Sequence, residues 1–513
     1  MKKRMKQVTA LFCAAVMCLS LAACGGNKDS KGSGKTSQSE NRTDLNLLIT
    51  DAFSTIDPHN LSLNSDITMS RQIYEPLYWF DDEGKEIPML ATEYTVSDDQ
   101  LAWTFKLREG VTFHNGDSLK ASDVVYSFER CMASAYMQSY TENIDKVTAP
   151  DDSTVVIALS APCAPLLSNI SSIGILNEKY AKENLDDQGL LGFNECGTGA
   201  YMYKESTPDV KVVMEAFPEY WDGEPAIKKI TYNQINDTTT ALTAFKSGEI
   251  DVATIPATDA DEIVGSGQYS TKELQTNHMT YLIFNSQVEP FNNKLLRQAV
   301  AYAVDRQSII DMAMGGAAVP ATTLATPYMF GYTEDHTSYD YDPEKAKKLL
   351  AEAGYPDGLD LGPVKTLSGS EFEKVLQAVQ SQLAEVGITC TVEGMEGNAL
   401  VNDCITGNFT LADMGQTMSA DYDFLKTYYN EEYIDGLNMA RYTDPAITKL
   451  FQDGIATTDK DARLKIYKEL EELAQEACVY VPIYNLINTY AWNKDLNYTP
   501  SVFGVLVKNF SWK

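Results

Sequence analysis

Histidine is scarce in this chain of 513 residues: His59, His114, His278 and His336 are the whole complement, and none stands in an H-E-x-x-H pair. A zinc protease built on that motif is excluded. No C-x-x-C occurs, which removes zinc ribbons and thioredoxin-type redox centres. G-x-S-x-G and G-x-G-x-x-G are also missing, so neither a nucleophile elbow nor a dinucleotide loop is expected. Gly34-Lys35-Thr36 ends like a phosphate loop, but the position needing its first glycine is Asp29. Basic residues are few, 41 Lys+Arg against 72 Asp+Glu, for a formal net charge of −31. Such a chain has nothing to offset repulsion from phosphates, so nucleic acid is not an expected partner. No metal, no cofactor and no catalytic residue are expected, and the sequence reads as that of a protein that is not an enzyme.

What is present is ordinary globular material, 44% hydrophobic and 22% charged. At this length two or three domains are expected, because a single core would be too large. Lys2, Lys3, Arg4 and Lys6 precede an apolar stretch, residues 8–23, broken by Thr9 and Ser20. That run is short for a membrane span and right for a signal-peptide core. It ends in Leu21-Ala22-Ala23-Cys24, which resembles a bacterial lipobox. The resemblance implies a signal peptide over residues 1–23, cleavage before Cys24, and acylation of Cys24 on its sulfur and new amino group. An ordinary signal peptide or an uncleaved anchor are the other readings of these residues. Residues 25–43 contain no hydrophobic side chain. They cannot bury anything and are expected to form a tether of roughly 25 Å. The remaining cysteines, Cys131, Cys163, Cys196, Cys390, Cys404 and Cys478, leave two readings open: three disulfides or buried free thiols.

Helix and strand signals alternate along the body. Asp237 and Asp342-Pro343 read as helix starts, and Gly248 and Gly354 as stops. Ser370 with Glu373 reads as a capping box, followed by apolar residues at helical spacing to Val386, a stop at Gly387 and a strand over residues 388–392. Leu295, Leu296, Ala299, Val300, Ala303 and Val304 line a further helix. Leu101, Trp103, Phe105 and Leu107 alternate with polar or small residues, and Val111 and Phe113 resume the alternation, which predicts a β-hairpin. Alternation of this kind argues an α/β protein.

Residues 101–130, LAWTFKLREGVTFHNGDSLKASDVVYSFER, resemble the most diagnostic segment of the extracellular solute-binding proteins, family 5, the peptide- and nickel-binding components of ABC importers. Further family-like pieces follow in order: Ile56-Asp57-Pro58, Gly197-Thr198-Gly199-Ala200-Tyr201, Tyr220-Trp221-Asp222-Gly223, KSGEIDV at 246–252, NSQVEPFNNKLLRQAVAYAVDR at 285–306, YDPEKAKKLLAEAGY at 341–355 and Val481-Pro482-Ile483. The resemblance implies a periplasmic-binding-protein-like two-lobe fold, class II and cluster C in type, with an extra subdomain on lobe I. Lobe I would comprise residues 44–65, 185–277 and 485–513, the extra subdomain 66–184, and lobe II 278–484, after a lipidated Cys and tether at 24–43. Two crossovers would make a hinge, so closure would be a rigid-body motion.

The function so implied is capture of peptides on the outer face of the cell membrane and delivery to ABC permease subunits driven by separate ATPase subunits. The chain is expected to act as a lipid-anchored monomer. A metal chelate, sugar or amine ligand, or peptide sensing without uptake, are the alternatives. By resemblance Asp421, in Ala420-Asp421-Tyr422, anchors the ligand's ammonium, with Met418 and Ser419 beside it. Ser62, Leu63 and Asn64 match the family's backbone-pairing loop, and Tyr136 and Tyr140 are candidates for a pocket wall. No Lys or Arg lies between Cys390 and Asp421, where family members often place a partner for the ligand's carboxylate. Three readings stay open: the peptide ends in water, the partner lies elsewhere in lobe II (Lys365 for instance), or the ligand has no carboxylate.

Overall fold

The protein is described here from a computed structural model covering residues 42–513, with Ser62 and Ala135 excepted. Cys24, the leader and most of the tether lie outside the described residues. Several helices form where their caps predict. Asp237 accepts a hydrogen bond from Thr240 N at 2.8 Å and opens Thr238–Ser247, which Gly248 closes in the left-handed region. Asp342 caps Pro343–Glu352 in the same way. Glu371–Glu385 buries Val375, Leu376, Val379 and Leu383 on one face, and the strand Ile388–Met395 follows. Burying each such side chain stabilises the fold by roughly 1.5–3 kcal/mol.

Two expectations need correction. The Ser370–Glu373 box does not close: the Ser370 hydroxyl donates to Leu367 O, and Glu373 accepts from Gly369 N at 2.6 Å. The long Glu side chain reaches one residue past the cap, where an N–H is equally free. The hairpin does not form either. Ala102–Leu107 lies between Ala91–Val96 and Thr154–Leu159 in a four-stranded antiparallel sheet completed by Ile144–Asp151. Val111 and Phe113 are buried in the same core, but their segment only turns on itself through a Thr112–Ser118 bridge. Their alternation reports burial of a loop, which period alone cannot distinguish from a strand. The six cysteines are free thiols, five of them buried. Burial pushes Cys404 and Cys163 up to about 12, so they are inert packing residues.

Among the described residues eleven strands form one mixed sheet. At one end Asp44–Ile49 pairs in parallel with Lys229–Gln234, beside the antiparallel strands Lys211–Ala216 and Tyr201–Thr207. At the other end Leu359–Leu367 pairs in parallel with Ile388–Met395 and touches Leu411–Thr417. Two long antiparallel strands, Tyr269–Phe284 and Tyr480–Asn493, join the ends. Their register slips between Gln275 and Met279, opposite Asn485–Ile487. Separate apolar cores flank this point, one around Leu45, Tyr201 and Tyr232, others around Phe284, Val379 and Tyr467. A further core lies under the four-stranded sheet.

The Ile56-Asp57-Pro58 motif has a structural role here. Asp57 is fully buried and receives Arg130 Nη1 at 2.7 Å and Leu191 N at 2.9 Å. Against the cost of burial, these bonds and the Arg130 charge hold its carboxyl below the usual range. The pair ties the start of the body to the helix Ala121–Met132, and so to the four-stranded sheet.

Asp413, on Leu411–Thr417 opposite Leu282, is the contrary case. It is 1% exposed, and among the described residues neither carboxylate oxygen meets a donor in good geometry, with Thr366 its nearest polar influence. Desolvation pushes it up to about 8, so it is a neutral acid at pH 7. Its folded pKa lies above the unfolded one, so its contribution is present below pH 4 and declines as pH rises towards 8. Replacing it by Asn removes this slope. In chemical denaturation the stability of Asp413→Asn relative to wild type should rise between pH 5 and pH 8 by about 1.4 kcal/mol per pH unit. A pH-independent difference would contradict the assignment.

Candidate functional site

Where the four-stranded sheet faces residues 327–330 and the start of the helix Lys460–Ala477, a cavity of about 660 Å³ opens. Phe80, Tyr94, Trp103 and Phe503 line one side, and Tyr328 and Phe330 the other. The aromatic walls follow from local folding. Trp103 stacks on Tyr94 with centroids 5.2 Å apart, since cross-strand neighbours on one face of a sheet meet. Phe330 is fixed by backbone bonds to both sides of Asp421: its N–H donates to Ala420 O at 2.8 Å, and its carbonyl accepts from Tyr422 N at 3.0 Å.

Charge is unevenly placed. Asp82, Glu83 and Glu86 bring three carboxylates from the first side. Ala420, Asp421, Lys460 and Arg463 come from the second. Asp421 is nearly buried, and Arg463 grips it with two parallel bonds, Nη1 to Oδ2 at 2.7 Å and Nη2 to Oδ1 at 2.8 Å. Oδ1 also accepts from Asp423 N at 3.0 Å. Arg463 is spent in turn on Gly454 O and the Tyr467 hydroxyl, with Phe330 stacked at 4.9 Å. The wall at Asp421 is therefore a neutral ion pair and not a bare carboxylate, and Oδ2 is the oxygen with a lone pair to spare. Two contacts close the chamber's edge: Ala164 N donates to Ile455 O at 2.7 Å, and Lys426 pairs with Glu142.

The other expected residues are scattered. Met418 is 3% exposed and packs in the core, and Tyr422 is core too, its hydroxyl donating to Glu471 at 2.5 Å. Ser419 is half-buried and does not line the cavity. Leu63 caps the helix Asn64–Ile73, with its carbonyl already accepting from Ile67 N, and Asn64 is exposed. Ser62 lies outside the described residues. Tyr136 and Tyr140 line a second, smaller cavity of about 140 Å³. Lys365 is committed to Asp403 and Asn408 O, both at 2.6 Å, and lines neither cavity. Sequence reading missed Arg463, Lys460 and the aromatic walls. Arg463 lies on the ordinary amphipathic helix Lys460–Ala477, where nothing in the pattern separates it from a surface arginine.

A large sheet carried by two long strands, with an aromatic chamber between separately cored parts, is the architecture of a two-lobe binding protein of the periplasmic type. Comparison narrows this. The profile of the bacterial extracellular solute-binding proteins, family 5 (middle region), matches residues 85–437, and the chain belongs to that family. The glutathione-binding protein GsiB of Escherichia coli O1:K1 / APEC is 29% identical over 454 residues, 84% of this chain and 86% of that one. The crystal structure of the ABC transporter substrate-binding protein CtaP from Listeria monocytogenes superposes with a TM-score of 0.83 at 28% identity, covering 92% of this chain and all of that one. DppA from Helicobacter pylori, in complex with the peptide STSA, gives 0.78 at 26% identity, covering 92% and 99%. The protein is thus an extracytoplasmic solute-binding component of an ABC importer, not an enzyme, and among the described residues no helix is long and apolar enough to cross a membrane.

The buried pair makes a stability prediction. Asp421→Ala strands the Arg463 guanidinium and should cost about 3–5 kcal/mol. Adding Arg463→Met removes the orphan charge and should restore much of that loss. Thermal denaturation reads both; a double variant no more stable than Asp421→Ala would contradict the pairing.

Proposed function

We propose that the chain captures short peptides in the 660 Å³ chamber and hands them to its permease. The observation that carries this reading is the chamber itself: partly open to solvent, aromatic-walled and charged at its edges. Its volume falls in the range of small-ligand sites, roughly 300–1,000 Å³, which suits a peptide of a few residues. A peptide-bound relative, DppA, and a glutathione-binding one, GsiB, support the same ligand class. The ammonium is received on the Asp421 side, at Oδ2, or by the carboxylates of Asp82, Glu83 and Glu86. The aromatic rings accept side chains without demanding one sequence.

The lobes of this reading meet near residues 277/278 and 484/485, at the register slip between the two long strands, and the extra subdomain of residues 66–184 closes with lobe I. Cys24 carries the lipid that holds the receptor at the membrane, and one copy suffices for capture. One feature favours a second reading, a cationic amine without a carboxylate: acidic groups outnumber unpaired basic ones around the chamber.

A thermal-shift screen of the full chain against a short-peptide library tests the proposal. Free peptides should raise Tm, since a ligand at a hundred times its Kd stabilises by about 2.7 kcal/mol. In Asp421→Asn, which keeps the side chain's size but leaves Arg463 without its counter-ion, peptides with a free amine should lose more affinity than their N-acetylated forms, whatever loss the two share. Stabilisation by simple amines and by no peptide would replace the peptide reading with the amine one.

A further inference from the structure

The smaller cavity is lined by a guanidinium that forms no ion pair with a carboxylate among the described residues. Arg71, in the last turn of Asn64–Ile73, is half-buried and lies 4.9 Å over the Trp79 ring. One guanidinium nitrogen donates to Phe503 O, and among the described residues this is its only acceptor. No carboxylate pairs with it. The other arginines withdrawn from solvent are better met. Arg130 and Arg463 hold carboxylates, Arg297 donates to Phe291, Ala477 and Cys478 carbonyls, and Arg306 to those of Tyr339 and Pro482. Arg71 lines the cavity, so its remaining donors are open to an acceptor that enters it.

The surroundings agree. Tyr136, which is 57% exposed, and the half-buried Tyr140 line the same cavity. Not one lining residue is Asp or Glu. In a chain with 72 acidic residues, this is a pocket rich in donors and poor in acceptors, the reverse of the larger chamber with Asp82, Glu83 and Glu86. The two cavities are neighbours. Trp79 lines the small one and Phe80 the large one, while Arg71 bonds the carbonyl of Phe503, whose residue lines the large one. Gly504 keeps the space open: it sits at φ +99, and a Cβ there would fall 2.6 Å from Arg71 Nη1.

We propose that Arg71, with Tyr136 and Tyr140, receives a carboxylate of the ligand. The inference rests on the solute-capture reading above and deepens it. It supplies from the N-terminal part of the chain the cation that residues 390–421 lack. The guanidinium offers planar paired donors that match a carboxylate, and Trp79 holds it in place by stacking. The chemistry recognised is a carboxylate, whether the C-terminus of a peptide or the acid group of another small solute.

Titration calorimetry of the full chain at pH 7 tests this with matched pairs, each short peptide as free acid and as amide, and each non-peptide carboxylic acid with its own amide. Wild type should bind acids about ten- to a hundredfold tighter than amides. Arg71→Met should abolish that preference by weakening acids while leaving amides near their wild-type affinity, and Arg71→Lys should keep part of it. Should Arg71→Met fail to fold, the Tyr136→Phe/Tyr140→Phe double variant should still narrow the preference several-fold. Equal losses on acids and amides would make Arg71 structural and overturn the proposal. Peptides that bind with no preference for the acid leave the peptide reading standing and remove Arg71 from recognition. An Arg71-dependent preference confined to non-peptide acids keeps Arg71 and removes the peptide. A panel in which nothing binds overturns both.

Discussion

The whole architecture hangs on two antiparallel strands, Tyr269–Phe284 and Tyr480–Asn493. They are the members of the large sheet that run from the core around Leu45 and Tyr201 to the cores around Phe284 and Tyr467. Backbone hydrogen bonds bind the pair along its length, with register shifts at Gln275–Met279 and at Thr280–Tyr281. A ladder is stiff where it is regular and bends where it is bulged. Asn485 stands at that slip, donating to His278 O and accepting from Gln275 Nε2, so the irregular backbone is held by side chains in place of ladder bonds. A chamber between separately cored parts can exist because the connection between them is this narrow.

Buried ion pairs then fix what the ladder leaves free. Asp57–Arg130 fastens the four-stranded sheet to the N-terminal strand region, and Asp421–Arg463 fastens one chamber wall to the helix Lys460–Ala477. Such pairs add little net stability compared with apolar packing, but losing one partner is expensive, so they specify position. For the ligand, the second pair matters most through its neutrality. The wall at Asp421 is already charge-balanced, so the chamber's other negative charge lies at Asp82, Glu83 and Glu86. Glu75 shows the same economy without a counter-ion: buried, it is satisfied by the Tyr220 hydroxyl, the Trp221 indole and the Thr198 hydroxyl, which accounts for two of the sequence's family-like motifs.

Much of the fold was legible in the sequence because caps and periods are local. Asp237, Asp342 and the glycines after their helices act within a few residues, and the structure places those helices accordingly. The hairpin over Leu101–Phe113 was misread because alternation records burial, and burial is settled by distant strands such as Thr154–Leu159. The site was less legible for the same reason. Asp421 stands out in its motif, but its partner lies 42 residues on, in a helix of unremarkable pattern. Trp103 reads as one residue of an alternating strand, and its role as a chamber wall depends on which part of the chain comes to face it. Tyr136 and Tyr140 could be named as wall candidates, but not the arginine beside them, whose place in the same cavity is a property of the folded chain alone.

The central claim is that a small solute is clamped unchanged in the chamber between these parts. The most direct measurement is a crystal structure of the full chain grown with a solute that stabilises it. The account predicts continuous density for the intact solute enclosed by Trp103, Phe330 and the Asp421–Arg463 pair. A stabilising solute bound on the outer surface with the chamber empty, or recovered with a bond broken, would contradict it.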